Sequence, residues 1–142
     1  DFARSHPGGA LGRKLLTHVS DLMRTGAELP CVSPLASFSD LMRAISDKGM
    51  GAAIVVDAQN HAIGIFTDGD LRRLVEQGMD LRAKTARDVM HPHPRSIRAD
   101  RLAVEAAELM EQYRITSVLV VDAEHRLCGA LSINDLLRAK VI

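Results

Sequence analysis

The sequence predicts an α+β chain in which one β-α-β-β-α unit is written twice. Three observations carry this. Residues 52–74, AAIVVDAQNHAIGIFTDGDLRRL, align with residues 117–139, SVLVVDAEHRLCGALSINDLLRA, at a constant offset of 65. Within each copy, short β-branched runs alternate with stretches whose apolar residues recur at three and four. Finally, 142 residues with 46% hydrophobic and 25% charged side chains have the composition of a globular chain, with a core for one domain or two small ones.

Each copy opens on an Asp-x-Met turn, SDLM at 20–23 and RDVM at 87–90. That offset is 67, because the first copy carries two extra residues in RTGAELPCVSP. A brief extended piece follows, ending near PCVSP or PRSIRAD. An amphipathic helix comes next. Phe38, Leu41, Met42 and Ile45 mark its apolar face in the first copy, and Leu102, Ala106, Leu109 and Met110 in the second. Ser37 and Asp100 are the expected N-caps. AAIVVD and SVLVVD are too short and continuous for helices and suit buried strands. DAQNH and DAEHR then turn the chain, AIGIF and LCGAL return as second strands, and helices carrying DLRRLV and DLLRAKVI close the copies. A module present twice buries both apolar faces most simply against its twin, giving a pseudo-two-fold pair. The expected divisions are 1–18, a leading segment, then 19–80 and 81–142.

Composition excludes several classes. Eighteen basic residues balance eighteen acidic ones, whereas a phosphate-backbone binder needs a net basic face. Aromatics are 3% with no Trp, so stacking platforms for single strands are missing. No apolar run approaches the roughly 20 residues that span a bilayer. The expected ligand is therefore a small molecule, with no nucleic acid and no membrane. The start, DFARSHPGGALGRKLL, lacks Met and a signal-peptide core, and reads as a piece of a longer, cytoplasmic chain. Cys31 and Cys128 fit no ligand spacing and are expected as buried thiols. His91 and His93 alternate with prolines in HPHP, an exposed connector rather than a metal site.

Glycine, two apolar residues, Thr or Ser, two variable residues and Asp describe both GIFTDGD and GALSIND. Two readings use the same atoms. Ser/Thr-x-x-Asp ahead of an apolar helix is close to a capping box, which needs no ligand. It is equally a hydroxyl at a helix start, where unpaired N–H groups favour phosphate, with a carboxylate one turn on that can accept two ribose hydroxyls. Repetition shifts the weight toward a nucleotide site without abolishing the cap. A phosphatase nucleophile at Asp68-x-Asp70 fares worse, because the second copy has Ile133 and Asn134 where Asp68 and Gly69 stand. Metal binding by TDGD lacks further oxygen ligands.

The paired SDLM and RDVM turns, the VVD strands, and GIFTDGDL with GALSINDL resemble a pair of cystathionine-β-synthase (CBS) motifs, the Bateman module, over about residues 19–142. The resemblance implies tandem CBS motifs that sense adenosyl or other nucleotides in clefts between the motifs and regulate an attached enzyme or channel. Carried over, Thr67 and Ser132 bind phosphate or ribose oxygens, and Asp70 and Asp135 hold the ribose. Backbone and small side chains around Val32, Ala52, Ile97 and Ser117 flank the base.

SHPGGALGRKLL ahead of such a pair, with GIFTDGDLRR intact, closely resembles the C-terminal part of bacterial arabinose-5-phosphate isomerases, which join a sugar-isomerase (SIS) domain to a CBS pair. This resemblance implies a parent enzyme interconverting ribulose 5-phosphate and arabinose 5-phosphate on the route to Kdo and lipopolysaccharide. His6 is then a catalytic remnant, inactive without the rest of the SIS domain. No cofactor is implied. The expected effector is an adenosyl nucleotide such as AMP or ATP, or CMP or CMP-Kdo as pathway feedback. The expected partners are the SIS domain and a second copy in a dimer. The alternative is an oligomerisation scaffold without ligand.

Overall fold

The computed structural model describes residues 15–142, so His6 lies outside the described residues. In chain order the elements are α1 (Val19–Leu22), a 3-10 turn (Gly26–Glu28), β1 (Cys31–Val32), α2 (Phe38–Lys48), β2 (Ala52–Val56), β3 (Ala62–Thr67) and α3 (Asp68–Glu76). They continue with α4 (Ala86–Val89), β4 (His91–Pro92), β5 (Ser96–Arg98), α5 (Ala103–Tyr113), β6 (Ser117–Val121), β7 (Leu127–Ser132) and α6 (Ile133–Arg138). Two compact units result, Ala27–Pro94 and Arg95–Ile142 with the segment ending at Gly26. The units cut across the sequence repeat. The Asp-x-Met turn of each copy is built into the unit formed by the other.

In the 27–94 unit the sheet runs β1-β2-β3-β4, with β1 parallel to β2 and the other pairs antiparallel. Strand alternation sends Ala53, Val55 and Phe66 to a core shared with Leu41 and Ile45 of α2 and with Ala86 of α4. Phe38 meets Phe66 edge-on, with centroids 6.1 Å apart. Helix α2 starts at the expected Ser37, whose Oγ accepts from the Asp40 N–H at 3.1 Å, and ends at Gly49 in the left-handed region. The turn α4 is held by the Ala86 N–H donating to the Ala36 carbonyl at 2.9 Å.

The other unit has the sheet β5-β6-β7, β5 parallel and β7 antiparallel to β6. Val118, Val120 and Leu131 pack with Ala103, Ala106 and Met110 of α5, Leu136 of α6, Val19 of α1 and Val141. The turn α1 is held by the Val19 N–H donating to the Arg101 carbonyl at 2.9 Å, the counterpart of the α4 contact, and by the Ala103 N–H donating to the Thr17 carbonyl at 2.8 Å. Arg24 lies beside Ala130 through two backbone hydrogen bonds of 2.8 and 3.1 Å, where the first unit pairs β4 with β3.

Two repeated sequence features explain each other. A Cβ on Gly64 would lie 2.2 Å from Met90 Sδ, and one on Gly129 would lie 2.7 Å from Met23 Sδ and 2.9 Å from the Arg24 carbonyl. The methionine of each Asp-x-Met turn thus occupies the space that the repeated glycine leaves open. The repeated Asp57 and Asp122 organise the turns, each accepting two backbone N–H bonds of 2.9 Å from residues two and four further on.

Three expectations are corrected. The N-cap of α5 is Leu102, not Asp100; its first turn is satisfied by Thr17, and the Leu102 N–H by Glu105 at 3.3 Å, so no upstream acid is needed. DLLRAKVI is helical only to Arg138, because Lys140 turns left-handed and returns Val141, 1% exposed, to the core. Cys31 is exposed on the two-residue edge strand β1, and Cys128 is half-buried; both are free thiols. Among the described residues no helix is long and apolar enough to cross a membrane, and no group of His, Cys, Asp and Glu is placed to hold a metal.

Candidate functional site

Thr67 and Ser132 end the returning strands of their units, and the helices α3 and α6 begin at the next residue. The Thr67 and Ser132 hydroxyl oxygens accept from the Asp70 and Asp135 N–H groups at 3.2 and 3.3 Å. The two acids accept in return from the Thr67 and Ser132 N–H groups at 3.0 and 2.9 Å. Both capping boxes are complete, so the ligand-free reading of the motif is physically realised in each unit.

Two features go beyond a cap. The acids are buried, Asp70 at 6% and Asp135 at 8% exposure, whereas the acids Asp21 and Asp88 in the turns α1 and α4 are exposed. Each buried acid also gathers basic side chains. Asp70 Oδ1 meets the Arg73 guanidinium and His91 Nε2, the latter at 2.9 Å. Asp135 meets Arg138 on Oδ1, while Arg24 approaches both carboxylate oxygens at 3.3 Å through Nε and Nη2. Burial pushes the Asp70 carboxyl up, but the Thr67 N–H, Arg73 and His91 together hold it below the ordinary carboxylate range. For Asp135 burial again opposes; the Ser132 N–H and Arg24 outweigh it, and the carboxyl is again lowered.

Sequence reasoning missed Arg138, and with it Arg24 and His91. The latter two directly follow an Asp-x-Met turn, so their shared offset of 67 was the available signal. They differ in kind: Arg24 is a permanent cation at 14% side-chain exposure, and His91 is an exposed imidazole on β4.

Register decides which other expected residues join the site. Ala52 lies directly opposite Thr67, and Ser117 opposite Ser132. Directly opposed residues share a sheet face, so both stand beside the hydroxyl of their unit. Val32 pairs with Val55 and Ile97 with Val120, residues of the two cores. Their side chains therefore lie on the helix-packed face, and any part they take at the site falls to their backbone. Asp68 and Ile133 diverge together with their neighbours. The Asp68 N–H donates to the Gly51 carbonyl, and a Cβ on Gly51 would stand 3.3 Å from Asp68 Oδ2; the second unit pairs Ile133 with Thr116.

Two helix-on-sheet units, each with a buried acid boxed to a hydroxyl, define a tandem α+β repeat module. The chain belongs to the CBS domain family, whose profile matches residues 19–77 and 86–142. Over all 142 residues it is 49% identical to arabinose 5-phosphate isomerase KdsD of Escherichia coli strain K12 and 47% identical to that of Pseudomonas aeruginosa. It spans 43% and 44% of the length of these relatives. Among solved structures, CBSX2 from Arabidopsis thaliana in complex with AMP superposes with a TM-score of 0.73 at 26% identity, covering 87% of this chain and 95% of that one. The CBS domain pair of MJ0100, in complex with 5'-methylthioadenosine and S-adenosyl-L-methionine, shares the fold, with a TM-score of 0.76 at 22% identity over 86% of this chain and 98% of the other.

Proposed function

We propose that this chain is the nucleotide-responsive CBS pair of a cytoplasmic sugar-phosphate isomerase that interconverts ribulose 5-phosphate and arabinose 5-phosphate in Kdo and lipopolysaccharide biosynthesis. The isomerase half of the reading is supported by the 49% identity to a curated arabinose 5-phosphate isomerase. On that reading the parent carries an SIS domain, and His6 belongs to its active site.

The sensing half is carried by one observation, the buried, deprotonated acid boxed to a hydroxyl and present in both units. The chemistry suits a phosphorylated nucleoside. A capping hydroxyl spends a lone pair on the helix N–H and keeps its proton, so Thr67 and Ser132 can still donate to a phosphate oxygen. Asp70 and Asp135 accept ribose hydroxyls, with Ala52 and Ser117 beside them and the backbone at Val32 and Ile97 near the base. The AMP complex of CBSX2 supports an adenine nucleotide; CMP and CMP-Kdo are the feedback candidates.

Thermal-shift titration with AMP, ATP, CMP and CMP-Kdo tests this. A ligand at a hundred times its Kd stabilises by about 2.7 kcal/mol, a shift of several degrees. Asp70→Asn and Asp135→Asn should abolish it. A chain silent to all four, with wild-type folding, leaves the second reading, an oligomerisation scaffold. That reading is favoured by caps complete without a ligand and by exposed Val75 and Leu137 on α3 and α6. A dimer is expected under both readings, and light scattering reads it directly.

A further inference from the structure

The HPHP motif falls where the chain leaves one unit for the other. The 27–94 unit ends at Pro94, and its last element is β4, the two exposed residues His91 and Pro92. Backbone pairing holds β4 weakly. His91 stands opposite Ile65 and Pro92 opposite Gly64, and a proline brings no N–H to the ladder. His93 follows in the left-handed region at φ 55. To this pairing β4 adds a side-chain clip. His91 Nε2 lies 2.9 Å from Oδ1 of Asp70, an acid 6% exposed on α3. At the equivalent point of the other unit, Arg24 makes two backbone bonds to Ala130 and reaches both oxygens of Asp135, and the chain crosses after Gly26. Each crossing thus follows, within three residues, a basic side chain fastened to a buried acid. One clip is a permanent cation and the other an imidazole.

We propose that His91 is a proton-operated clip: charged, it fastens β4 and the segment leading out of the 27–94 unit to Asp70, and neutral, it lets them go, so that this unit responds to pH near neutrality and its twin does not. The device needs no nucleotide. An imidazole changes its charge between about pH 5 and 8. Asp70 stays an anion through that window, because against burial the Thr67 N–H, Arg73 and His91 hold its carboxyl low. The clip is therefore strongest at the acidic end and is lost as pH rises. Arg73 sets the competition. It holds the same Oδ1, and a neutral imidazole competes poorly with a guanidinium for one oxygen, whereas a charged one adds a charge-assisted bond. On the elements beside His91, β3 carries no titratable side chain and α3 faces it with Asp70 and Arg73. Asp88 of the preceding turn α4 is committed to Thr85.

The experiment is amide hydrogen exchange of the ligand-free 142-residue chain at about pH 5.5 and about pH 8, corrected for intrinsic exchange, with NMR titration of the histidine side chains alongside. Protection in β3 and β4 should fall roughly twofold to fivefold at the higher pH, the range of an exposed ion pair, while protection around Arg24 and Ala130 stays constant. His91→Arg should keep the higher protection at both pH values, and His91→Gln the lower one at both. Unchanged protection in β3 and β4 across a window in which the His91 imidazole titrates overturns the proposal. An imidazole that keeps one charge state across the window does the same. A pH response that survives in His91→Gln belongs to His93 or His61 and overturns the assignment to His91.

Discussion

Replacing Arg24 with Met tests the electrostatics of the site at its most buried point. Met keeps the apolar stem and removes the two 3.3 Å contacts to Asp135. Stripping a buried carboxylate of every partner costs about 3–5 kcal/mol. Here the Ser132 N–H and Arg138 remain, so the loss approaches that of charge-assisted hydrogen bonds, about 2 kcal/mol. Arg138, at 67% side-chain exposure, is a solvent-screened partner, and Arg138→Gln should cost under about 1 kcal/mol. Urea unfolding reads both. Asp135 has a lowered folded pKa, so its contribution is present above the unfolded pKa and is lost as pH falls through the folded one. Arg24→Met raises that folded pKa, so the gap between variant and wild type is widest near neutrality and narrows in the carboxylate range. A gap that stays constant on acidification, or one that Arg138→Gln matches, refutes the assignment of Arg24 as the main counter-charge.

Three further outcomes are expected. Arg114 ends α5 with φ 54 where the equivalent Gly49 ends α2 with φ 65, so Arg114→Gly should stabilise by about 1 kcal/mol in thermal unfolding. Gly129→Ala drives a Cβ against the Arg24 carbonyl and should cost about 1–3 kcal/mol; Gly64→Ala, against Met90, should cost a similar amount. Asp68 puts an exposed acid at the start of α3 where the other unit has Ile133, and like charge there opposes phosphate. Asp68→Asn should therefore tighten AMP at the Asp70 site in calorimetry, with the Asp135 site unchanged.

What the sequence disclosed and what it concealed divide along a physical line. Periodicity and turn chemistry act within a few residues, and they made the repeated strands, the Ser37 cap and both Ser/Thr-x-x-Asp boxes legible. Pairing across long separations leaves no such trace. The exchange of Asp-x-Met turns rests on backbone bonds such as Ala86 to Ala36 and Ala103 to Thr17, which no window contains. Arg24 reaches Asp135 across 111 residues. The same limit misplaced the Asp100 cap, because a distant carbonyl had already met the donor it would have served. Sheet face is set for Ala52 and Ser117 by their pairing with Thr67 and Ser132. It was hidden for Val32 and Ile97, whose orientation depends on parallel partners far along the chain.

Cap and site compete less than their shared atoms imply, and counting lone pairs shows why. A carboxylate offers about four acceptor positions. Asp135 fills all four with the Ser132 N–H, two donors of Arg24 and one of Arg138, while Asp70 fills three. A ribose that donates to Asp135 must displace a resident donor. The capping N–H is fixed by the helix and Arg24 by its burial, so the exposed Arg138 leaves, at a cost of about 0–1 kcal/mol. The released guanidinium then stands one helical turn beyond Asp135, free to meet a phosphate. Ligand binding on this scheme exchanges a weak surface ion pair for ribose and phosphate contacts and leaves the cap intact, so Arg138→Gln should weaken AMP more than it weakens adenosine.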